Sequence, residues 1–336
     1  MFERVVNIKI ENWKEEPFAI SRGIEDNFDV VVLEIEQNGF KGWGEATPTN
    51  RYEESSSQTK ILIEKYRNLV ENGITRSELQ QVMPKGAARN AVDCALWDLE
   101  AKLAGKRVWE LPEISTHLGL VRNGTPGNVI TVYSIGVDTP EKMGEIARKN
   151  AKRPILKIKL AGDGDLERII QIKKNAPESR IVIDANEGWT IKHYNKYVPK
   201  FKSLGVEMIE QPFPADKDNI LKTLDHPIPI CADESCHDTD DLERLIGLYE
   251  FVNIKLDKTG GLTEALKLQA NAELKGLQTM IGCMSATSLG IAPAFLIAPR
   301  AKIVDLDAPL YLFKDRPFPI KYEGSRVFAS SSKLWG

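Results

Sequence analysis

Five charged residues, Lys159, Asp184, Glu210, Asp233 and Lys255, follow one another through the second half of this 336-residue chain at intervals of 25, 26, 23 and 22 residues. Each closes a short apolar run: ILKIK, IVIDAN, MIEQP, IPICADES and VNIKLDK. The three acids, with no His or Cys among them, make a hard, all-oxygen donor set. Such a set selects Mg2+, or Mn2+, and leaves positions open for water or substrate. A single acid at such a place often caps the next helix, but three in consecutive units repel one another unless a cation lies between them.

The lysines add the chemistry. Strand alternation puts Lys157 and Lys159 on one face, and a lysine in an apolar strand needs compensation. Lys157 finds it by pairing with a metal-ligand carboxylate, and its charge lowers the pKa of Lys159 so that this second amine can act as a base near neutral pH. Lys255, four units further on, reaches the same point from the opposite side; a salt-bridge role is the alternative for either lysine taken alone. Two amines flanking a cation can take a proton from either face of a carbon acid. The reaction this allows is proton abstraction α to a carboxylate, with the metal holding that carboxylate and stabilising the enediolate.

The spacing of the five runs is what one strand, one helix and two short loops need, so each charge is expected at a strand's carboxyl end, where parallel α/β barrels carry their active sites. VITVYSIGV, with Thr139 and Pro140 as cap and first residue of a helix, supplies strand one, and LQTMIGCM and AKIVDLDAP supply strands seven and eight. Eight parallel strands with alternating helices can close into a barrel. An open doubly wound sheet would show a Gly-rich phosphate loop, and the sequence has none.

Ahead of this repeat, the chain from Phe2 to about residue 50 reads as strands, with Asn38-Gly39 as a hairpin turn between DVVVLEIEQ and FKGWGEA. Helical periodicity follows in SSSQTKILIEKYRNLVENG, TRSELQQVM and GAARNAVDCALWDLEAKLAG, which describes an α+β domain. LGLVRNGTPGN is the expected junction, and the tail from Tyr311 leaves the repeat and is expected to return to the first domain.

Bulk properties exclude several classes. A net charge of −3 offers no basic excess for nucleic acid or anionic lipid, and the charged amino terminus and the lack of a long apolar run predict a cytoplasmic protein outside the membrane. Cys94, Cys231, Cys236 and Cys283 lack CxxC spacing and read as reduced buried thiols, and the four histidines show no metal spacing. A homo-oligomer is compatible with the composition.

KIK at 157–159, the acids of DAN, EQP and DES, the lysine of NIKLDKTGG and the ALWDLEAK helix together resemble the enolase superfamily, muconate-lactonizing subgroup. A Lys or His base acting with Mg2+ is a known arrangement of that superfamily. The resemblance implies an α/β fold, a modified TIM barrel (β/α)7β over 125–310 with an N-terminal α+β capping domain over 1–118, and a segment 311–336 that returns to the cap. Within the subgroup the chain resembles the dipeptide epimerases. That resemblance implies Lys159 and Lys255 as acid/base pair, Lys157 tuning the first, one Mg2+ on Asp184, Glu210 and Asp233, and a dipeptide such as L-Ala-D-Glu or L-Ala-L-Glu, from murein peptide, as substrate. Asp305 and Asp307 of VDLDAP match the Asp-x-Asp that grips the substrate's ammonium group; capping the last helix or pairing with a basic residue is the alternative. Arg22, in ISRGIED, matches the arginine that binds glutamate's side chain, though an exposed loop arginine is often merely solvated. CMSATS departs from the acidic loop of many relatives and leaves Ser285, Ala286 and Thr287 unassigned. Within the same fold, o-succinylbenzoate synthase and muconate-type cycloisomerase are the rivals. Outside it stand a Schiff-base aldolase and a non-catalytic binding protein, neither of which needs both a three-acid metal site and facing lysines.

Overall fold

The computed structural model describes residues 4–120 and 124–336, so Phe2 at the expected start of the first strand and 121–123 of the expected junction lie outside the described residues. The chain opens with two long antiparallel strands, Val5–Ile20 and Gly23–Gln37, and a shorter third, Phe40–Ala46. Asn38 and Gly39 turn the second hairpin at φ 53° and 78°, the left-handed pair that a two-residue turn requires. The run DVVVL is apolar on both faces because the strand is buried on both. Val31, Leu33 and Ile35 pack with Ile63, Leu79 and Ala91 of the cap helices, while Phe28, Val30 and Val32 join the core shared with the barrel.

The helices fall where periodicity placed them, at Ser56–Glu71, Arg76–Val82 and Ala87–Leu103. The last lies directly on the third strand: a Cβ at Gly44 would stand 1.9 Å from Ala91 O, so only glycine admits this approach. Arg22 differs from expectation in its setting. ISRGIED is no free loop but the tip of the first hairpin, where Ile20 pairs with Gly23 and only Ser21 and Arg22 turn the chain. The pairing register shifts between Lys14 and Phe18, around Pro17, which has no N–H to give.

The second part is an eight-stranded parallel sheet whose strands neighbour one another in sequence order: Tyr133–Ile135, Ile155–Lys159, Arg180–Asp184, Val206–Glu210, Ile230–Ala232, Phe251–Ile254, Gln278–Ile281 and Ile303–Val304. We refer to them as strands one to eight. Strand one is shorter than VITVYSIGV implies. Its first residues, Val129–Ile130, leave to pair with Arg326–Val327 of the tail, because the tail hairpin offers them an antiparallel partner at the barrel's edge. The ring closes where the Val132 amide donates to Val304 O at 2.8 Å. Between strands four and five the expected helix is replaced by a 3-10 segment, Asp218–Thr223. Inside the ring, Val132, Ile155, Val182, Met208, Cys231, Phe251, Met280 and Ile303, one from each strand, form a closed apolar floor.

The tail lies against the cap. The Trp335 indole donates to Cys94 O at 3.1 Å, the Gly336 amide donates to Asp98 Oδ1 at 2.7 Å, and Arg107 donates to Ser330 O at 2.7 Å and to Gly336 O. All four cysteines are free, as their spacing predicted, with Cys283 the one partly accessible. No helix among the described residues is long and apolar enough to cross a membrane.

Candidate active site

Strand alternation builds the site from the floor. Two residues beyond each apolar floor position the inward side chain becomes polar: Ser134, Lys157, Asp184, Glu210, Asp233, Asn253 and Asp305, with Gly282 on strand seven. Two residues further, Lys159, Asn186, Lys255 and Asp307 stand at the rim. The same period that keeps the barrel's base dry thus delivers charge to its mouth.

Ion pairs knit this layer. Lys157, fully buried, places Nζ 2.6 Å from Asp305, 2.7 Å from Glu210 and 3.2 Å from Asp184. Lys159 donates to Asp184 Oδ2 at 2.7 Å, and Lys255 donates to Asp233 Oδ2 at 2.7 Å. Lys159 closes strand two and Lys255 follows strand six, four places apart in the eight-membered ring, and the charges of both lower the pKa of Asp305.

The charges perturb one another. Burial alone would raise the Asp184 and Asp233 carboxyls, but Lys159 and Lys157 hold Asp184, and Lys255 and Lys258 hold Asp233, below the ordinary aspartate range. Glu210 goes the other way, to about 7, because burial and the charge of Asp184 outweigh Lys157. Burial opposes the charge on Lys157 and Lys255, yet the facing carboxylates hold both amines above the ordinary lysine value. With Asp233 as its partner, Lys255 is an acid; it becomes a base only when something else takes that carboxylate.

As the side chains stand, no three acidic, His or Cys groups among the described residues gather closely enough to hold one ion. The expectation that the three acids converge on a point is therefore revised: each is drawn instead onto an ammonium group, which supplies the positive charge. The donor set still fits a divalent cation. Asp184, Glu210 and Asp233 come from three adjacent strands, all are buried, and the buried Glu210 Oε2, although 2.7 Å from the Lys157 ammonium, receives no aligned hydrogen bond. Buried Glu234 Oε2 and Asn186 Oδ1 beside them are also left without hydrogen bonds. Burial and the neighbouring carboxylates push Glu210 and Glu234 to about 7, so a divalent cation among these acids would favour their ionised, ligating forms.

Asp305 and Asp307 do share one face and lie within hydrogen-bonding reach of each other. Asp305 accepts from Lys157 at Oδ2, the pairing with a basic residue that stood as the alternative for it. Burial and Asp305 push Asp307 to about 7, the signature of two carboxylates that lack a cation between them. Arg22 reaches down from the hairpin tip to the barrel mouth, donating to Glu234 Oε1 at 2.9 Å and to Asn186 O at 3.2 Å. The unassigned loop after strand seven is tied to the cap, since Thr47 donates to Ser285 O at 2.7 Å and the Thr287 amide donates to Glu45 Oε1 at 2.8 Å.

Sequence reasoning missed Lys258. Its Nζ donates to Asp233 Oδ1 at 2.7 Å and to Asn253 O at 2.9 Å. It also missed Asn253, whose amide donates to Glu210 Oε1 at 2.7 Å, and Glu234, pushed to about 7 by burial and the charges of Asp233 and Asp184. Lys258 was findable, because a helical turn starting after Lys255 brings a residue three places on back over the strand's end.

Comparison with known proteins agrees with this geometry. Residues 3–112 match the mandelate racemase/muconate lactonizing enzyme N-terminal domain, and residues 142–322 match the enolase C-terminal domain-like family. The chain is 46% identical, with a TM-score of 0.95, to a solved enolase family member from Agrobacterium tumefaciens, covering 99% of this chain and 100% of that one; that protein has homology to dipeptide epimerases and was solved with sodium and L-Ala-L-Glu. It is 42% identical over 315 residues to the L-Ala-D/L-Glu epimerase of Escherichia coli strain K12, covering 93% and 95% of the two chains, and 40% identical over 311 residues, covering 91% and 95%, to an N-acetyl-D-glutamate racemase of a Pseudoalteromonas species. Solved dipeptide epimerases complexed with Mg and a dipeptide match at TM-scores of 0.85 to 0.89 and 26–28% identity. With both domains matched and the site residues in place on the barrel strands, the chain belongs to the mandelate racemase/muconate lactonizing enzyme family of the enolase superfamily.

Proposed function

We propose that this enzyme is an isomerase that moves the α-proton of a dipeptide's carboxy-terminal residue from one face to the other, interconverting L-Ala-L-Glu and L-Ala-D-Glu. The observation that carries the reading is the placement of Lys159 and Lys255 on opposite sides of one carboxylate cluster. Asp184, Glu210 and Asp233 are the residues that would hold Mg2+, which supplies positive charge to bind the substrate carboxylate and to offset the negative charge that develops there. The chain's own groups do the rest. Lys159 or Lys255, relieved of its aspartate, takes the α-proton on its side, and the amine opposite, still an ammonium, delivers one to the other side. Lys157 stays charged between Asp184, Glu210 and Asp305.

Asp305 and Asp307 would receive the substrate's ammonium group, and Arg22, exchanging Glu234 for the substrate, would receive the glutamate side chain. This division uses a cap over 1–118, a barrel over 125–310 and a returning segment 311–336. The reading places the enzyme in the breakdown of murein peptides in the cytoplasm. o-Succinylbenzoate synthesis and cycloisomerisation would use a similar lysine pair but give the paired aspartates no cation to hold. Incubation of L-Ala-L-Glu with enzyme and Mg2+ in D2O should give L-Ala-D-Glu with deuterium at the glutamate α-carbon. Absence of both product and label would overturn the proposal.

A further inference from the structure

Asp307 is buried at the rim beyond strand eight, where two donors meet its Oδ2: the Ser134 amide at 2.7 Å and the Tyr311 hydroxyl at 3.0 Å. The same hydroxyl accepts from the Ser134 amide at 2.9 Å and lies 2.7 Å from Ser134 O. A phenol has one proton, so it donates to the Ser134 carbonyl or to Asp307 but not to both at once. The ring is held from two sides. Phe18 packs at 5.4 Å with a 56° tilt and Tyr133 at 5.4 Å with a 37° tilt. Phe18 lies on the cap hairpin four residues before Arg22, so the Tyr311 side chain touches the strand that leads to Arg22, barrel strand one and the carboxylate of Asp307.

A carboxylate that is to receive an ammonium group must be held with an oxygen toward it, and a flexible one loses affinity to its own rotation. The Ser134 amide, joined by the Tyr311 hydroxyl when its proton turns away from the Ser134 carbonyl, holds Asp307 at Oδ2 in this way. We propose that Tyr311 is a positioning residue for the amino end of the substrate: its hydroxyl orients Asp307 for the ammonium group, and its ring registers Asp307 against the hairpin that carries Arg22. The two ends of the dipeptide are thereby measured against one side chain. The inference rests on the dipeptide reading given above.

The test compares wild type with Tyr311→Phe, which keeps the ring and removes the hydroxyl. KM for L-Ala-L-Glu should rise about tenfold while kcat stays within about twofold, because the lost hydrogen bond orients a binding group and touches neither lysine. A general loosening of the structure would lower kcat as well. Asp307→Asn and the double variant complete a cycle, in which the two increases in KM should fail to multiply. An unchanged KM in Tyr311→Phe, a fall in kcat at constant KM, or fully multiplicative effects would each overturn the inference while leaving the dipeptide reading intact. Wild-type enzyme inert on L-Ala-L-Glu would sink that reading, and this inference with it.

Discussion

The missing side chain of Gly282 is the space in which Lys255 lies. A Cβ at this position would stand 3.1 Å from Lys255 Cε and 2.6 Å from Asn253 Oδ1. Asn253 must therefore shift, and because its amide is bonded to Glu210 it has little room to do so, so alanine here crowds Asn253 and Lys255 together. Gly282→Ala should lower kcat by about 100-fold, the scale of a 1 Å misplacement of a reacting group. Deuterium exchange measured separately on each epimer should show the larger loss on the face that Lys255 serves. Equal loss on both faces would contradict this assignment.

The two amines are separable by the same assay. Lys159→Ala and Lys255→Ala should each abolish epimerisation, by about 100- to 10,000-fold, because product requires both faces. Each variant should still exchange the α-proton of one epimer with solvent, and the two should retain opposite epimers. Exchange of the same epimer in both variants would leave no two-base mechanism.

Metal binding should depend on pH in a defined direction. Burial and the charge of Asp184 push Glu210 to about 7, so the metal-free folded protein keeps a proton that the unfolded chain releases near the ordinary glutamate value. That contribution to stability is fully present below the ordinary value and is lost as pH rises through about 7. Mg2+ needs the deprotonated carboxylate, so saturating Mg2+ should raise the thermal unfolding midpoint more at pH 8 than at pH 6, and calorimetry should detect proton release on binding at the lower pH. A stabilisation by Mg2+ that is independent of pH would argue against Glu210 as a ligand.

On the proposed reading, Arg22 carries the preference for glutamate. Arg22→Met should raise KM for L-Ala-L-Glu by about 10- to 100-fold, the scale of a lost charged hydrogen bond, and leave kinetics on L-Ala-L-Leu little changed. Equal effects on the two dipeptides would assign Arg22 to holding Glu234 alone.

The part of this site legible in the sequence is the part set by the two-residue period of strands. Lys157, Lys159, Asp184, Glu210, Asp233 and Lys255 could be placed because an inward charge at the end of an apolar run has only one face to occupy. Lys258 lies past the strand, in a four-residue helical turn too short to show a periodicity of its own. Tyr311 reaches Asp307 from a 3-10 turn, and its ring contacts Phe18, nearly three hundred residues earlier, so no local pattern announces it. The fold's main departures have similar causes. Strand one is shortened because the tail hairpin captures Val129 and Ile130, and that is decided about two hundred residues downstream. The first hairpin continues through Phe18 to Ile20 despite Pro17, because its pairing register resumes beyond the irregularity.

Eight apolar side chains seal the lower end of the barrel, so the charged layer above them faces the mouth at the other end. The tip where Ser21 and Arg22 turn reaches over that mouth and is fastened there to Asn186 and Glu234, so a stronger hold on those two partners is expected to slow exchange at the mouth without altering either amine.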